Sequence, residues 1–160
     1  MSSVIYRFVK SQAAKFPYLS RFLPALDHAI ARLTRGRHTL TGLLTGLPIV
    51  TLTTNGARSG RSRTVTLLGI RDGQNIVLIA SNWGKTRHPD WYYNLRANPR
   101  AMLALTGQPV RSYLAREASA AERQTHWQQA LDLYPRYATY ARRARRQIPI
   151  VVLAPENASE

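Results

Sequence analysis

The chain has 160 residues, 44% of them hydrophobic, with 23 Lys and Arg against 8 Asp and Glu and a net charge of +15. That length suits one domain with a real core, and the absence of cysteine excludes disulfides, zinc–thiolate centres and cysteine nucleophiles. The charge implies an anionic partner: nucleic acid, a membrane surface, or a phosphorylated or carboxylated small molecule.

The first 16 residues set Val4, Ile5, Phe8, Val9, Ala13 and Phe16 against Arg7, Lys10 and Lys15. This spacing predicts a helix with a basic polar face, able to pack on its own domain or to lie on an anionic membrane. A second helix is expected over about 24–34, punctuated by Pro17 and Pro24. Residues 36–48 hold three glycines and a proline and read as a connector that could cover a cleft. An N-terminal helical segment, 1–45, thus precedes a domain over 46–160. No apolar run reaches the roughly 18–20 residues of a membrane span, and the N-terminus lacks the apolar core of a signal peptide. The expected location is cytoplasmic, with a peripheral position at the inner face of the membrane as the variant that residues 1–16 permit.

From residue 48 the texture changes. "PIVTLTT" (48–54), "RTVTLLGIR" (63–71) and "QNIVLIAS" (74–81) read as strands, with "DG" (72–73) as a tight hairpin turn. "HPDWYYNLRANP" (88–99) reads as a short helix with Pro89 at its first position and Asn98-Pro99 ending it. Residues 101–117 form a second hairpin around Gly107. Ser119 and Glu122 make a capping-box start for a helix to about Leu133, and "IPIVVLAP" (148–155) is the last strand. About six strands in antiparallel hairpins, with helices inserted between them, predict a mainly β, α+β chain: a small antiparallel barrel with helical insertions rather than a doubly wound parallel sheet.

Three stretches could carry chemistry. In "NGARSGRSR" (55–63), Gly56 and Gly60 let the backbone approach a ligand, Ser59 and Ser62 offer hydroxyls, and Arg58, Arg61 and Arg63 can fork onto anion oxygens. In "ASNWGKTRHPDWYYNL" (80–95) a strand end passes through a turn at Gly84 into a helix, the kind of place where ligands dock. Here Trp91, Tyr92 and Leu95 read equally as a core face, and His88 as a cap or a core histidine. In "LYPRYATYARRARRQIP" (133–149), Tyr134, Tyr137 and Tyr140 recur every three residues, which on a helix puts them near one face. They can be packing, or they can border a pocket and donate protons. Arg142 to Arg146 read as a solvated face. The histidines His28, His38, His88 and His126 lack ligand spacing, so no metal is expected, and no paired carboxylates or nucleophile elbow appear. An anion cradle with aromatics and no catalytic dyad suggests chemistry borrowed from a cofactor.

Three blocks, "LTTNGARSGRSRTVTL", "VLIASNWGKTRHPDWYYNLRANP" and "LYPRYATYARRARRQIPIVVLAP", occur in order across roughly residues 46–155. Together they resemble the deazaflavin (F420)-dependent nitroreductase family of split β-barrel proteins. The resemblance implies coenzyme F420, whose tail carries a phosphodiester and several glutamates, as the cofactor. It implies that Arg58, Ser59, Gly60 and Arg63 bind the phosphate, with Arg61 and Lys85 reaching tail carboxylates. Ala80, Ser81, Asn82, Trp83 and Gly84 would line the deazaflavin ring; His88, Pro89, Trp91 and Asn94 would build and brace that wall. Tyr134, Tyr137 and Tyr140 would border the acceptor pocket as candidate catalytic proton donors. The implied reaction is hydride transfer to a small electron-poor acceptor: a quinone, an enone or a nitroaromatic. Two departures stand out: Arg58 replaces a lysine of many members, and "SNWG" replaces an "SKGG"-like turn, adding the bulk of Trp83 beside the ring. The alternatives are an FMN- or FAD-binding protein on the same barrel, and a basic nucleic-acid-binding module, against which the lack of any such signature argues.

Overall fold

The computed structural model describes residues 48–105 and 107–156. Among them, six strands form a closed barrel: β1 (Ile49–Asn55), β2 (Ser62–Asp72), β3 (Asn75–Ile79), β4 (Arg100–Leu105), β5 (Arg111–Glu117) and β6 (Ile150–Pro155). Their order around the barrel is β1-β2-β3-β6-β5-β4, and every neighbouring pair is antiparallel. Helix α1 (Asp90–Ala97) joins β3 to β4, while α2 (Ala120–Leu133) and α3 (Arg136–Ala144) lie between β5 and β6. This is the mainly β, six-stranded α+β barrel that the sequence predicts. The helices expected over 2–16 and 24–34, and with them the basic face of residues 1–16, lie outside the described residues.

The strand sequences fit their places in the barrel. In β1, Val50, Leu52 and Thr54 are buried and alternate with less buried neighbours, because one face points into the barrel and the other outward. β3 ("NIVLI") and the first four residues of β6 ("IVVL") are instead nearly continuous apolar runs. They are buried on both faces. One face joins an interior cluster containing Val50, Leu52, Ile76, Leu78, Leu103, Tyr113, Val151 and Leu153, to which α1 adds Trp91, Tyr92 and Leu95. The other face, through Val77, Ile79, Ile150 and Val152, meets Ala130 of α2, Tyr137, Tyr140 and Ala144 of α3, and Ile148. Among the described residues, no helix is long and apolar enough to cross a membrane.

Local signals set the element ends, with small corrections. The two residues of the β2–β3 turn are Gly73 and Gln74, one position later than "DG": Asp72 still pairs with Asn75, and Gly73 has a φ of 60°. β3 stops at Ile79 rather than Ser81, because the chain turns at once into residues 82–84. Pro89 sits at the N-cap of α1, just before its first helical residue. The capping box is present: the Glu122 amide donates to Ser119 Oγ at 3.3 Å, and the Ser119 amide to Glu122 Oε2 at 2.8 Å. Arg116 adds a two-pronged grip on the same carboxylate at 2.6 and 2.7 Å. With the capping bonds, this holds the Glu122 carboxyl well below the usual carboxylate range.

Gly69 is a tightly packed point of the barrel wall. A Cβ there would lie 2.6 Å from Val50 Cγ1 and 3.0 Å from Ile76 Cγ2, and both side chains are almost fully buried and stiff at χ1. Gly69→Ala is therefore expected to destabilise the barrel by about 1–3 kcal/mol through overpacking. Chemical denaturation checks this; an unchanged midpoint would show that the wall can give.

Candidate functional site

The β1–β2 connection is a compact turn. The Gly56 amide donates to the Arg61 carbonyl at 2.8 Å, and the Gly60 amide to the Gly56 carbonyl at 2.8 Å. Both glycines suit their places in the turn. A Cβ on Gly56 would come within 2.7 Å of Ser59 Oγ, and Gly60 has a φ of 63°. The turn is tied to α1 by one buried side chain. Asn94 Oδ1 accepts from the Ala57 amide at 2.9 Å, while its Nδ2 donates to Thr54 Oγ1 at 3.0 Å. Both Asn94 and Thr54 are buried, which shields the bond between them from water, while the bond to the exposed Ala57 is part-buried.

Between the turn and α1 lies a groove of about 850 Å³. The turn contributes Arg58, Ser59 and Arg63, and the α1 side contributes Arg87, Tyr93 and Arg96. Four guanidinium groups thus surround one space. Asp90, also on the groove wall, is bound to Arg87 at 2.8 Å. Arg87 lies over the Tyr93 ring at 5.5 Å, and Arg96 over the Tyr92 ring at 5.9 Å, so aromatic faces help carry the charges. Arg61 and Lys85 are exposed and are not among the lining residues. Arg87 and Arg96 were not among the sequence-predicted ligands. Helical spacing from Asn94 would have found Asp90, Tyr93 and Ala97 on the groove face of α1, and the two arginines flank that face.

The segment after β3 builds a second wall. Ala80 and Ser81 are buried, so they brace the wall from behind. Asn82, Trp83 and Gly84 then form a tight turn in which all three have positive φ, at 48°, 58° and 78°. For the two non-glycine residues this costs about 1–2 kcal/mol each. Strain of this kind persists only where surrounding contacts enforce it. The result is an indole held out from the surface: Trp83 is 69% exposed. Gly84 is buried against α3, where a Cβ would lie 3.1 Å from the Tyr140 backbone and from Arg143 Cβ. Asn82 Nδ2 donates to the Arg87 carbonyl at 2.8 Å, closing the loop back toward the arginine groove.

The tyrosines meet, though not along one helix. Tyr134 caps the C-terminus of α2, Pro135 breaks the chain, and Tyr137 and Tyr140 belong to α3. Their ring centroids lie 5.5–6.3 Å apart, and Tyr140 reaches the Trp83 ring edge-on at 6.1 Å. Tyr137 is deep in the outer core beside Trp127, and burial pushes its phenol well above the ordinary range. Burial, and then a hydrogen bond with Tyr134, pushes Tyr140 up to about 12. Both phenols therefore hold their protons at neutral pH.

The remaining brace residues sit inside. Trp91 belongs to the barrel interior. Pro89 is half-buried and starts α1. His88 stacks at 4.9 Å on Tyr92 and 5.8 Å from Tyr93. Burial first, and the Arg146 charge next, lower its pKa, so the imidazole is held neutral. Tyr92 itself, bonded through its hydroxyl to Glu117, is pushed up to about 12, by burial first. Arg146 corrects the sequence reading of a solvated basic face. It is half-buried and donates to the carbonyls of Lys85, Ala80, Ser81 and Arg87 at 3.2–3.3 Å.

Residues 26–155 match the family model described as F420H(2)-dependent quinone reductase. An F420H(2)-dependent quinone reductase of Mycobacterium tuberculosis is 35% identical over 138 residues, covering 80% of this chain and 87% of the relative. A solved F420H2-dependent reductase, FDR-A, is 37% identical with a TM-score of 0.60, covering 66% of this chain and 93% of that one. A second solved structure, described as a domain-swapped dimer, is 33% identical with a TM-score of 0.64, covering 84% and 98%.

Asn94→Ala would strip the Ala57 amide and the Thr54 hydroxyl of their partner, and leaving the buried Thr54 hydroxyl unpaired costs about 1–3 kcal/mol. The expected outcome is a lower denaturation midpoint together with faster tryptic cleavage after Arg58 and Arg61. Loss of stability with no faster cleavage would mean that the turn holds its shape without α1.

Proposed function

We propose that this chain, which belongs to the F420H(2)-dependent quinone reductase family, binds reduced F420 in the arginine-lined groove and reduces a quinone beside the Trp83 turn. The observation that carries the reading is the groove itself: Arg58, Ser59 and Arg63 on one wall face Arg87 and Arg96 on the other. Forked guanidiniums around a space of that size suit a phosphodiester followed by carboxylates. Gly56 lines the groove, and without a side chain there the backbone can come close to such a tail. The donor set of the chain thus fits F420.

When bound, F420H2 supplies a hydride. The tasks left to the protein are binding, orientation, exclusion of water and delivery of a proton. Arg58, Arg63, Arg87 and Arg96 hold the tail and so anchor the cofactor away from the reacting atoms. Arg61 and Lys85, exposed nearby in sequence, serve the outer carboxylates of the tail. Trp83 and the turn around it offer a flat apolar surface for the ring, braced by Ala80, Ser81, His88 and Pro89. Holding two reactants in register is worth more here than any single polar contact. Reduction of a quinone by hydride also consumes a proton. Tyr140, which meets Trp83 edge-on, is a protonated phenol at the right wall, and Tyr134, which bonds to Tyr140, stands beside it as a second candidate donor. Tyr137 supports them from the core.

Titration with F420, FMN and FAD, following tryptophan fluorescence, tests the cofactor directly. The expected result is micromolar or tighter F420 binding, weak FMN binding, and F420 affinity that falls as salt rises. The double variant Arg58→Ala/Arg63→Ala is expected to weaken F420 binding by about 10- to 100-fold or more, since each charged hydrogen bond is worth about 1.5–3 kcal/mol. Unchanged affinity in that variant overturns the cradle.

Tyr134→Phe and Tyr140→Phe separate packing from chemistry. A proton donor is worth about 10²–10⁴ in rate, so at least one of the two is expected to lose turnover at saturating quinone while keeping its F420 affinity. If both retain wild-type turnover, the proton comes from elsewhere.

A further inference from the structure

We propose that Arg146 is a positioning residue for hydride transfer: it touches neither reactant but fixes the Trp83 turn against α3, and so fixes the ring wall against the tyrosine pocket. The proposal rests on the hydride-transfer reading above for its kinetics, and on the fold alone for its mechanics.

The geometry has three parts. First, α3 ends in a left-handed residue: Arg145 has a φ of 51°. That reversal takes Arg146 off the helix, and its guanidinium reaches back across α3 to residues 80–87. Second, the guanidinium donates to the carbonyls of Ala80, Ser81 and Arg87 through Nη2, at 3.3 Å each, and to that of Lys85 through Nε at 3.2 Å. These carbonyls bracket the turn: two precede Asn82 and two follow Gly84. A fork of fixed, planar donors can serve both sides of a loop at once, which a single ammonium cannot. Partial desolvation strengthens these bonds and is also what lowers the Arg146 pKa from its usual value. Third, Gly84 is in contact with the α3 backbone at Tyr140, so the turn is seated on the helix as well as tied to it.

Nothing within the turn would otherwise hold three consecutive left-handed residues around an exposed indole. Its internal bonds are the Gly84 amide to the Ser81 carbonyl, the Lys85 amide to the Asn82 carbonyl, and the Asn82 side chain to the Arg87 carbonyl. None of these reaches α3. Arg146, just beyond the end of α3, ties the turn to the helix that carries Tyr140. A wall that moves by an ångström relative to that helix changes the approach of donor and acceptor, a displacement to which transfer rates are steeply sensitive. The tail-binding groove is built on Asn94 instead, and loss of Arg146 leaves that anchor in place.

The test compares wild type with Arg146→Lys and Arg146→Gln. Native-state trypsin digestion reads the mechanics without cofactor: cleavage after Lys85 and Arg87 is expected to rise at least tenfold in both variants, as segment 80–87 opens locally. Steady-state kinetics read the function. The kcat at saturating F420H2 and quinone is expected to fall about 10- to 100-fold, with the F420 dissociation constant within about threefold of wild type. Wild-type cleavage and kcat in the lysine variant overturn the proposal. So does a parallel loss of F420 affinity and kcat, which would mark a merely structural role. If neither Arg146 variant folds, Gly84→Ala loosens the same junction from the other side, and the same split between kcat and affinity is required of it; wild-type kcat there overturns the proposal. A wild-type chain that leaves F420H2 unoxidised overturns the function reading, and the proposal with it. A wild type that turns over beside unaffected Arg146 variants overturns the proposal alone.

Discussion

Asn94 is the residue on which the arginine groove depends. One amide side chain accepts from the Ala57 backbone and donates to Thr54, so it joins the end of β1, the β1–β2 turn and α1 in a single junction. Amide groups suit this role because they donate and accept at once. The groove is the space this junction leaves between turn and helix. Arg58, Ser59 and Arg63 are exposed on one rim, and Arg87 and Arg96 on the other. None of them has to hold the fold. They can turn toward a ligand, Arg87 from its pairing with Asp90, while a neutral residue behind them does the holding.

The electrostatics follow from that division. The chain carries 23 basic residues against 8 acidic ones, and several acids are already committed. Glu122 and Glu156 are bound to Arg116 and Arg100, Asp90 to Arg87, and Glu117 to the Tyr92 hydroxyl. Arg58 and Arg63 in the groove are left to repel each other through solvent. Such repulsion is modest in water, and a bound polyanion would offset it. Exposure also means that the attraction is screened by salt, and electrostatics of this kind favour capture and rate of encounter over tight holding. Tight holding requires forked hydrogen bonds, which arginine supplies and lysine does not.

The barrel was legible in the sequence because each strand advertises its own burial. "VTLTT" alternates and has one buried face, whereas "NIVLI" and "IVVL" do not alternate and are covered on both sides. Turn glycines and the Ser119–Glu122 box marked the ends to within a residue or two. The turn arginines were legible as well, because glycines and arginines crowd into nine positions. Two things were not legible. Arg87 and Arg96 reach the groove because α1 is docked by its buried Trp91, Tyr92 and Leu95 and by Asn94, whose bond to the turn spans 37 residues in sequence. Arg146 read as one more surface cation in "RRARR", since nothing local reveals that Arg145 turns left-handed and sends its neighbour inward. Long-range docking and a single unusual φ are the kinds of fact that composition and periodicity do not carry.

Arg87 shows how the two halves of the site are coupled. Its guanidinium stands in the anion groove over Tyr93, while its carbonyl receives Asn82 Nδ2 and Arg146 Nη2 at the other wall. A ligand that pulls on the Arg87 side chain therefore pulls on the closing bond of the Trp83 turn. The two anchors differ in kind. Asn94 is neutral and buried, and it fixes a groove whose ligands are mobile. Arg146 is charged and half-buried, and it fixes a strained turn whose exposed residue is a rigid plane. Mobility suits a flexible polyanionic tail, which can be gripped in many ways. Rigidity suits a planar ring, which has to meet its acceptor in one way. The same backbone segment, residues 80–88, serves both walls: it carries Arg87 into the groove, and Arg146 ties its two ends to the chain just beyond α3.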